Sequence, residues 1–359
     1  MATHKKRSYI WLLILAAIGL CGFAIFKYGR YSVIHEKEPA WSPDGRYIAF
    51  ACEPRFKFVD INQYFGLDWL DWPFYEDVYT ICIKDTTTNK LTWLTNSFEL
   101  HTPSWSPDGN NLAWRKGCNS YVVWNLATKK QFDVKVSEID CFQEDIPPAW
   151  SKDSNRIFIQ GSSVGIDVQT QSLISLGASS SYIISPSGTY LASVENDYLI
   201  VRETDTQNII IKLENPSFLL TDLRWNPDGT ILAWMPMGRY DFALTSVETR
   251  ETVYFADLGL GYLNISSWSP NGDKIALFNQ LENSDDFELT VLKITCSSNP
   301  FGCKLLERKQ YNLKGYAPSH LTWSPDGKQI AYQTHYTYGT IRIIDLETGQ
   351  DYLLIERNE

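Results

Sequence analysis

The chain has 359 residues, with 32 basic and 42 acidic side chains and 44 % hydrophobic residues, enough for one large domain with a sizeable core. Five of the basic residues and none of the acids fall in residues 1–30, so the remainder carries a net charge of −15. Such a surface repels nucleic acid and anionic lipid, and no basic stripe along the sequence overturns this.

The N-terminus opens with the basic cluster His4-Lys5-Lys6-Arg7, and residues 8–26 follow without a charge. At about 1.5 Å per helical residue that run crosses most of a hydrocarbon core of roughly 30 Å. Lys27 and Arg30 close it. The basic N-terminal flank favours a cytoplasmic segment over 1–7, a single transmembrane anchor over 8–26, and export of the C-terminal remainder. A cleaved signal peptide is the main rival. The run is longer than the usual apolar region of about 7–15 residues, and no small-x-small cleavage site follows it. A lipoprotein signal is the third reading, with Leu20 a poor residue before Cys21. Residues 27–38 read as a linker.

Repetition begins next. Trp41-Ser42-Pro43-Asp44-Gly45, with Ile48-Ala49-Phe50 after it, has copies along the whole chain. They start at Trp105, Trp150 (weaker, with Lys152 in place of Pro), Ser185 (without Trp), Trp225, Trp268 and Trp323. Pro presets φ for the second position of a type I turn, and Gly takes the left-handed conformation that lets two strands pair again. The apolar triplet after each turn marks a strand buried on both faces. Seven units, mostly near the roughly 40–50 residues of a four-stranded blade, predict a seven-bladed β-propeller over 39–359. In that fold each motif Trp is a core residue between blades, and each motif Asp is a turn residue.

The repeat resembles that of the TolB-type β-propellers, with their W-S-P-D-G-x-x-I-A-F core, over about residues 39–356. The resemblance implies a rigid periplasmic disc that works through protein–protein contacts. The chain departs from that family in having no recognisable N-terminal α/β domain and one blade more. Some propeller polysaccharide lyases resemble the same repeat family and hold a metal with His and amide ligands. That makes His101, His320 and His335 a weak alternative metal set, in no recognisable ligand spacing. No cofactor is implied.

In the first unit the link between second and third strands is expanded, from about Glu53 to Asp77. It mixes Trp69, Trp72 and Tyr75 with carboxylates such as Asp71. Propeller topology puts such links and the blade-to-blade connections on one face and the Pro-Asp-Gly turns on the other. Tyr240, Tyr336 and Tyr338 fall on the same loop-rich face, with blade 7 beside blade 1. Aromatics between carboxylates suit a partner protein's aromatic and basic groups, a peptide, or a sugar. The competing reading is a folded flap with its own small core. The leading function is therefore a non-catalytic protein-binding or scaffold module of the cell envelope, with a carbohydrate-binding or carbohydrate-cleaving propeller as the alternative.

Six cysteines outside the apolar run form three local pairs, Cys52–Cys82, Cys118–Cys141 and Cys296–Cys303. Each could lie within disulfide range, which suits an exported domain; free buried thiols are the alternative. Gly161-Ser162-Ser163-Val164-Gly165 fits the nucleophile-elbow pattern, but it joins two predicted strands where that motif needs a strand followed by a helix. It reads as a hairpin turn.

Overall fold

The computed structural model describes residues 30–57, 79–97, 102–117, 119–136, 147–159, 162–176, 182–214, 223–235, 242–258, 263–280, 287–313, 318–334 and 339–355. These form seven four-stranded antiparallel sheets, each built from four strands consecutive in sequence. Blade 1 comprises Arg30–Trp41, Tyr47–Lys57, Tyr79–Asp85 and Leu91–Ser97. Blade 7 comprises Pro318–Trp323, Gln329–Thr334, Thr340–Asp345 and Asp351–Leu353. First strands of neighbouring blades lie against one another, blade 1 against blade 7 included. They make the inner ring. The fourth strands form the perimeter, where Ile209, Leu306 and Tyr352 are exposed. Among the described residues no strand is exchanged between the ends of the chain. The ring closes by contacts between blades 1 and 7, without a shared blade.

The motif turn explains why the same hairpin forms repeatedly. In blade 7 Ser324 Oγ donates to Asp326 Oδ1 (2.6 Å) and accepts the Gln329 N–H (2.9 Å). The Gly327 N–H donates to the Ser324 carbonyl at 2.9 Å, with φ +67° at Gly327. A β-carbon residue at that φ is strained, which is why glycine recurs there. Blade 3 departs: Ser154 occupies the position with φ +60°. Its turn nevertheless closes, through Ser151 Oγ to Asp153 Oδ1 at 2.5 Å.

Packing between blades follows the expected wedge. Trp105, Leu112 and Trp114 of blade 2 bury against Ala49, Ile81 and Ile83 of blade 1. Five of the six motif indoles, all but Trp41, add a hydrogen bond across their seam. Trp105 Nε1 donates to the Ala40 carbonyl (3.1 Å), Trp150 to Ser104 (3.1 Å) and Trp268 to Arg224 (3.2 Å). Blade 4 has Ile184 where the others have Trp, and there the Tyr182 hydroxyl donates to the Ser162 carbonyl (2.6 Å). A different residue thus ties the same seam.

Two segments differ from the sequence reading. The linker was expected to reach residue 38 and the expanded link to start at Glu53. Instead the first strand begins at Arg30 and the second continues to Lys57. The two pair from Arg30↔Lys57 down to Trp41↔Ile48. The extra pairs carry alternating residues suited to a two-stranded ribbon, a pattern that is invisible until its partner is known. Cys52 and Cys82 form a disulfide with Cα atoms 5.9 Å apart, and Cys296–Cys303 another at 4.1 Å. Cys118 and Cys141 lie outside the described residues, as does the 8–26 run. Among the described residues no helix is long and apolar enough to cross a membrane.

Candidate functional site

The loop-rich rim is best defined where blade 7 meets blade 1. Blade 1's first strand runs along the rim, and blade 7 offers the ends of its second and third strands. The Glu36 N–H donates to the Gly339 carbonyl at 2.9 Å. Glu36 Oε2 accepts the Ile341 N–H at 3.0 Å, and the Glu38 N–H donates to Gln333 Oε1 at 3.0 Å. Glu36 is 1 % exposed and Glu38 5 %. A β-carbon at Gly339 would meet the Glu36 carbonyl at 2.7 Å and Gln333 Nε2 at 3.1 Å. The residue there must be glycine for the strands to approach so closely.

Glu38 and His320 both interrupt the pairing of their strands, at register shifts in the first strands of blades 1 and 7. Both hold positive φ, +57° and +45°. Backbone of that kind costs about 1–3 kcal/mol and persists where its surroundings fix it. The two side chains face each other across the seam, His320 Nε2 lying 3.9 Å from Glu38 Oε1. That is within ion-pairing range when the imidazole is protonated.

This arrangement is a clamp. Each Glu36, Glu38 and Gln333 contact ties backbone of one blade to the other. What it holds are the root of one ribbon and the base of one loop. The ribbon of residues 30–37 and 51–57 leads into 58–78, and Thr334, paired with Thr340, leads into 335–338. Gly339 ends the second loop and touches Glu36 at the root of the ribbon.

Of the residues expected to bind a partner, Trp69, Asp71, Trp72 and Tyr75 lie in 58–78, Tyr336 and Tyr338 in 335–338, and Tyr240 in 236–241. All are outside the described residues. So are His101 and His335; His320 is described, in the seam contact with Glu38. Among the described residues no group of three or more His, Cys, Asp or Glu could hold a metal. Ser163 sits between the second and third strands of blade 3, Arg156–Phe158 and Val164–Asp167, with no helix after it. The strand–turn–strand context is the one read from the sequence.

Glu36, Glu38 and Gln333 were not singled out by the sequence. The one available signal was two acids, Glu36 and Glu38, in a segment that pairs as a buried strand. Elsewhere on the disc the motif carboxylates serve turns. Burial raises the Asp326 pKa, but the Ser324 hydroxyl, the Lys328 N–H and the Lys328 charge outweigh it and hold the group below the usual carboxylate value. Hydrogen bonds from Ser151 and Asn155 do the same for Asp153.

No protein-family model matches the sequence, and no curated protein matches it. Solved structures match in fold. Oligogalacturonate lyase from Vibrio parahaemolyticus aligns at 12 % identity and TM-score 0.59, over 88 % of this chain and 91 % of that one. The β-propeller domain of Myceliophteria thermophila Cps50 (Swd1) aligns at 14 % and 0.53, over 90 % and 98 %. TolB from Acinetobacter baumannii aligns at 15 % and 0.46, over 92 % and 65 %. At these identities the likeness shows the fold alone. The chain is a seven-bladed β-propeller.

Proposed function

We propose that the protein is a membrane-anchored, extracytoplasmic β-propeller that binds another protein and performs no chemistry of its own. One observation supports this: the blade 7–blade 1 clamp fixes the root of the ribbon that leads into 58–78 beside Gly339, at the end of the 335–338 loop, on a rigid disc. Preorganised loop bases lower the ordering cost of binding. The aromatic and acidic composition of 58–78 suits a partner with basic and aromatic groups. Two disulfides favour an oxidising compartment, and the uncharged 8–26 run supplies a single-pass anchor in the cytoplasmic membrane with the C-terminal domain outside, in the periplasm or its equivalent.

The test compares the full chain with Trp69→Ala/Trp72→Ala in crosslinking capture from native membranes. Capture should fall by at least tenfold with the melting temperature unchanged. Undiminished capture by the folded variant removes the insertion from the binding surface. Retention of a glycan by the full chain, with no protein crosslink, would favour the carbohydrate alternative.

A further inference from the structure

Blade 6 presents the longest outer edge of the disc. Its third strand, Phe287–Ser298, and fourth, Phe301–Asn312, have 12 residues each, and no other fourth strand exceeds 7. The Cys296–Cys303 disulfide ties the tip of this hairpin, and Phe301, Cys303 and Leu305 anchor it in the blade 5–blade 6 core. The fourth strand ends the sheet, so among the described residues one row of its N–H and C=O groups has no strand beside it. Such an edge is a template for another extended backbone.

Its charge sets it apart. Phe301–Asn312 carries Lys304, Arg308 and Lys309 against Glu307, whereas every other fourth strand is neutral or negative. Arg308 is occupied by the Leu258 carbonyl. The register places the rest. Lys274↔Lys293, Lys293↔Glu307, Val291↔Lys309 and Thr295↔Lys304 are directly opposed, and opposed residues share a face. That face looks toward blade 7, since Val291 packs in the core shared with it and Lys274 Nζ lies 6.0 Å from the Trp323 ring centroid. Two lysines directly opposite one another repel. Lys274, Lys293 and Lys304 form no ion pair among the described residues. Lys309 meets Glu307 at 3.7 Å, both side chains half exposed, where a pair is worth little.

The neighbouring acids do not neutralise this row. Glu288 accepts Asn279, Thr290 and Gln310 on the opposite face of the blade. Glu347 of blade 7 meets Lys328 at 3.8 Å, and Asp345 caps its own turn. Glu282, Asp285 and Asp286 belong to 281–286, which joins the second and third strands at the Asn312 end of the hairpin. Lys309 is about 10 Å from that end along the strand and Lys304 about 26 Å. The cationic stretch is therefore 304–309. Within it Leu306 is a bulge, an extra residue between Leu305 and Glu307, and is 58 % exposed. Bulges and lysines keep an edge from pairing with its own kind. Two copies set antiparallel about this bulge would place Lys304 opposite Lys309, like charge against like. A second copy is refused, and an acidic strand is not.

We propose that the outer edge of blade 6 is a docking strand for an acidic, extended segment of a partner protein, which adds as a fifth strand along residues 304–309. Main-chain hydrogen bonds hold it, and side chains at alternate positions select it. The bulge brings Lys304 and Lys309 to the same face although five residues separate them. The added strand therefore meets them with acids four residues apart, and Leu306 lies beside the apolar residue midway between. This surface is on the perimeter, apart from the loop-rich rim, and stands whether or not residues 58–78 bind anything.

The probe is a capped heptapeptide with glutamate at its second and sixth positions, valine at its fourth and threonine elsewhere. One control peptide has lysine for both glutamates. The other keeps the glutamates and is N-methylated along its backbone. The full chain, in uncharged detergent, carries a photocrosslinking side chain at position 306 or at position 209, where Ile209 on the outer strand of blade 4 is similarly exposed at 53 %. Crosslinking of the acidic peptide at 306 should exceed that at 209, and that of the lysine peptide at 306, by at least about tenfold. N-methylation should reduce it to background. K304E/K309E, confined to exposed side chains, should reverse the preference in favour of the lysine peptide. Equal yields at 306 and 209, or from the acidic and lysine peptides, overturn the proposal. A yield indifferent to N-methylation overturns strand addition and leaves a charge contact only. Crosslinking of the chain to itself through 306 makes a second copy the occupant and overturns it too. These comparisons use the chain with its lysines intact, so they decide the matter even where K304E/K309E does not fold. An acidic preference retained by the folded double variant removes the two lysines from the site.

Discussion

Glu36 Oε2 accepts the backbone N–H of Ile341 at 3.0 Å, joining residues 305 apart in sequence at the point where the ring closes. Both groups are buried. Since blade 1 and blade 7 each supply all four of their own strands, closure depends on this seam and on the apolar contacts behind it. There Ile48, Phe50 and the Cys52–Cys82 pair pack on Ala331, Ile341 and Ile343.

Glu36→Ala should therefore destabilise the disc. It strips the acceptor from a buried N–H, which costs about 1–3 kcal/mol. Glu36→Gln keeps an acceptor oxygen at the same reach and should recover most of the loss. Denaturant titration of both variants checks this. Equal stability of Glu36→Ala and the parent chain would mean the ring is held without the clamp.

The motif tryptophans invite a similar comparison. Trp268 is 7 % exposed and packs among Phe242, Leu244, Ile275 and Leu277 of blades 5 and 6. Trp268→Ala should cost roughly 3–5 kcal/mol through the cavity it leaves. Trp268→Phe should cost less, losing part of the contact area and the bond to the Arg224 carbonyl. Both effects belong to folding. An unchanged thermal melt of Trp268→Ala would contradict this packing.

The fold was legible because its signal is redundant. The Trp-Ser-Pro-Asp-Gly turn repeats, and each copy fixes the register of the hairpin around it, so even Lys152 and Ser154 in blade 3 did not hide the unit. A second repeated turn went unread. Between third and fourth strands, Asp85 Oδ1 accepts the N–H groups of Thr87 and Thr88, and Asp345 Oδ1 those of Glu347 and Thr348. Asn89, Lys129, Gln171, Gln207 and Arg250 take positive φ at its last position. A polar residue three before Thr is too common a spacing to stand out without the strands that flank it. The seam clamp was illegible for a different reason. Glu36 and Gln333 gain meaning only from a partner some three hundred residues away, and the first strand's start at Arg30 depends on pairing with residues 53–57.

Acid should weaken the turns. Burial raises the Asp108 pKa, but bonds from Ser106, Asn110 and Ser154 outweigh it, so the group sits below the usual carboxylate value, as Asp153 and Asp326 do. Arg202 lowers Glu195 in the same sense. A carboxylate with a depressed folded pKa contributes stability above its unfolded value, near 3.9 for Asp, and loses it as pH falls through the folded value. Melting temperature should hold steady from about pH 7 to about pH 5 as far as these groups contribute, then decline below about pH 4. Ser324→Ala, which removes the hydroxyl from Asp326, should flatten that decline slightly while lowering stability at neutral pH. A melting temperature that rises on acidification below pH 4 would reverse the sign argued here.

The two disulfides should differ in what they contribute. Cys52–Cys82 spans a sequence separation of 30 and Cys296–Cys303 one of 7. Loop-closure entropy in the unfolded chain gives about 3–4 kcal/mol for the longer loop and about 2.5 kcal/mol for the shorter. The longer loop also contains residues 58–78, so opening it frees one root of the candidate binding surface. Cys52→Ser/Cys82→Ser should therefore lower stability more than Cys296→Ser/Cys303→Ser. It should also weaken partner capture, which the second pair, in a hairpin whose Cys303 packs in the blade 5–blade 6 core, should leave intact. Denaturant titration ranks the variants. Alkylation under denaturing, non-reducing conditions with peptide mapping confirms the bonds. Labelling of Cys52 or Cys82 in the unreduced protein would remove both the bond and the oxidising compartment it supports.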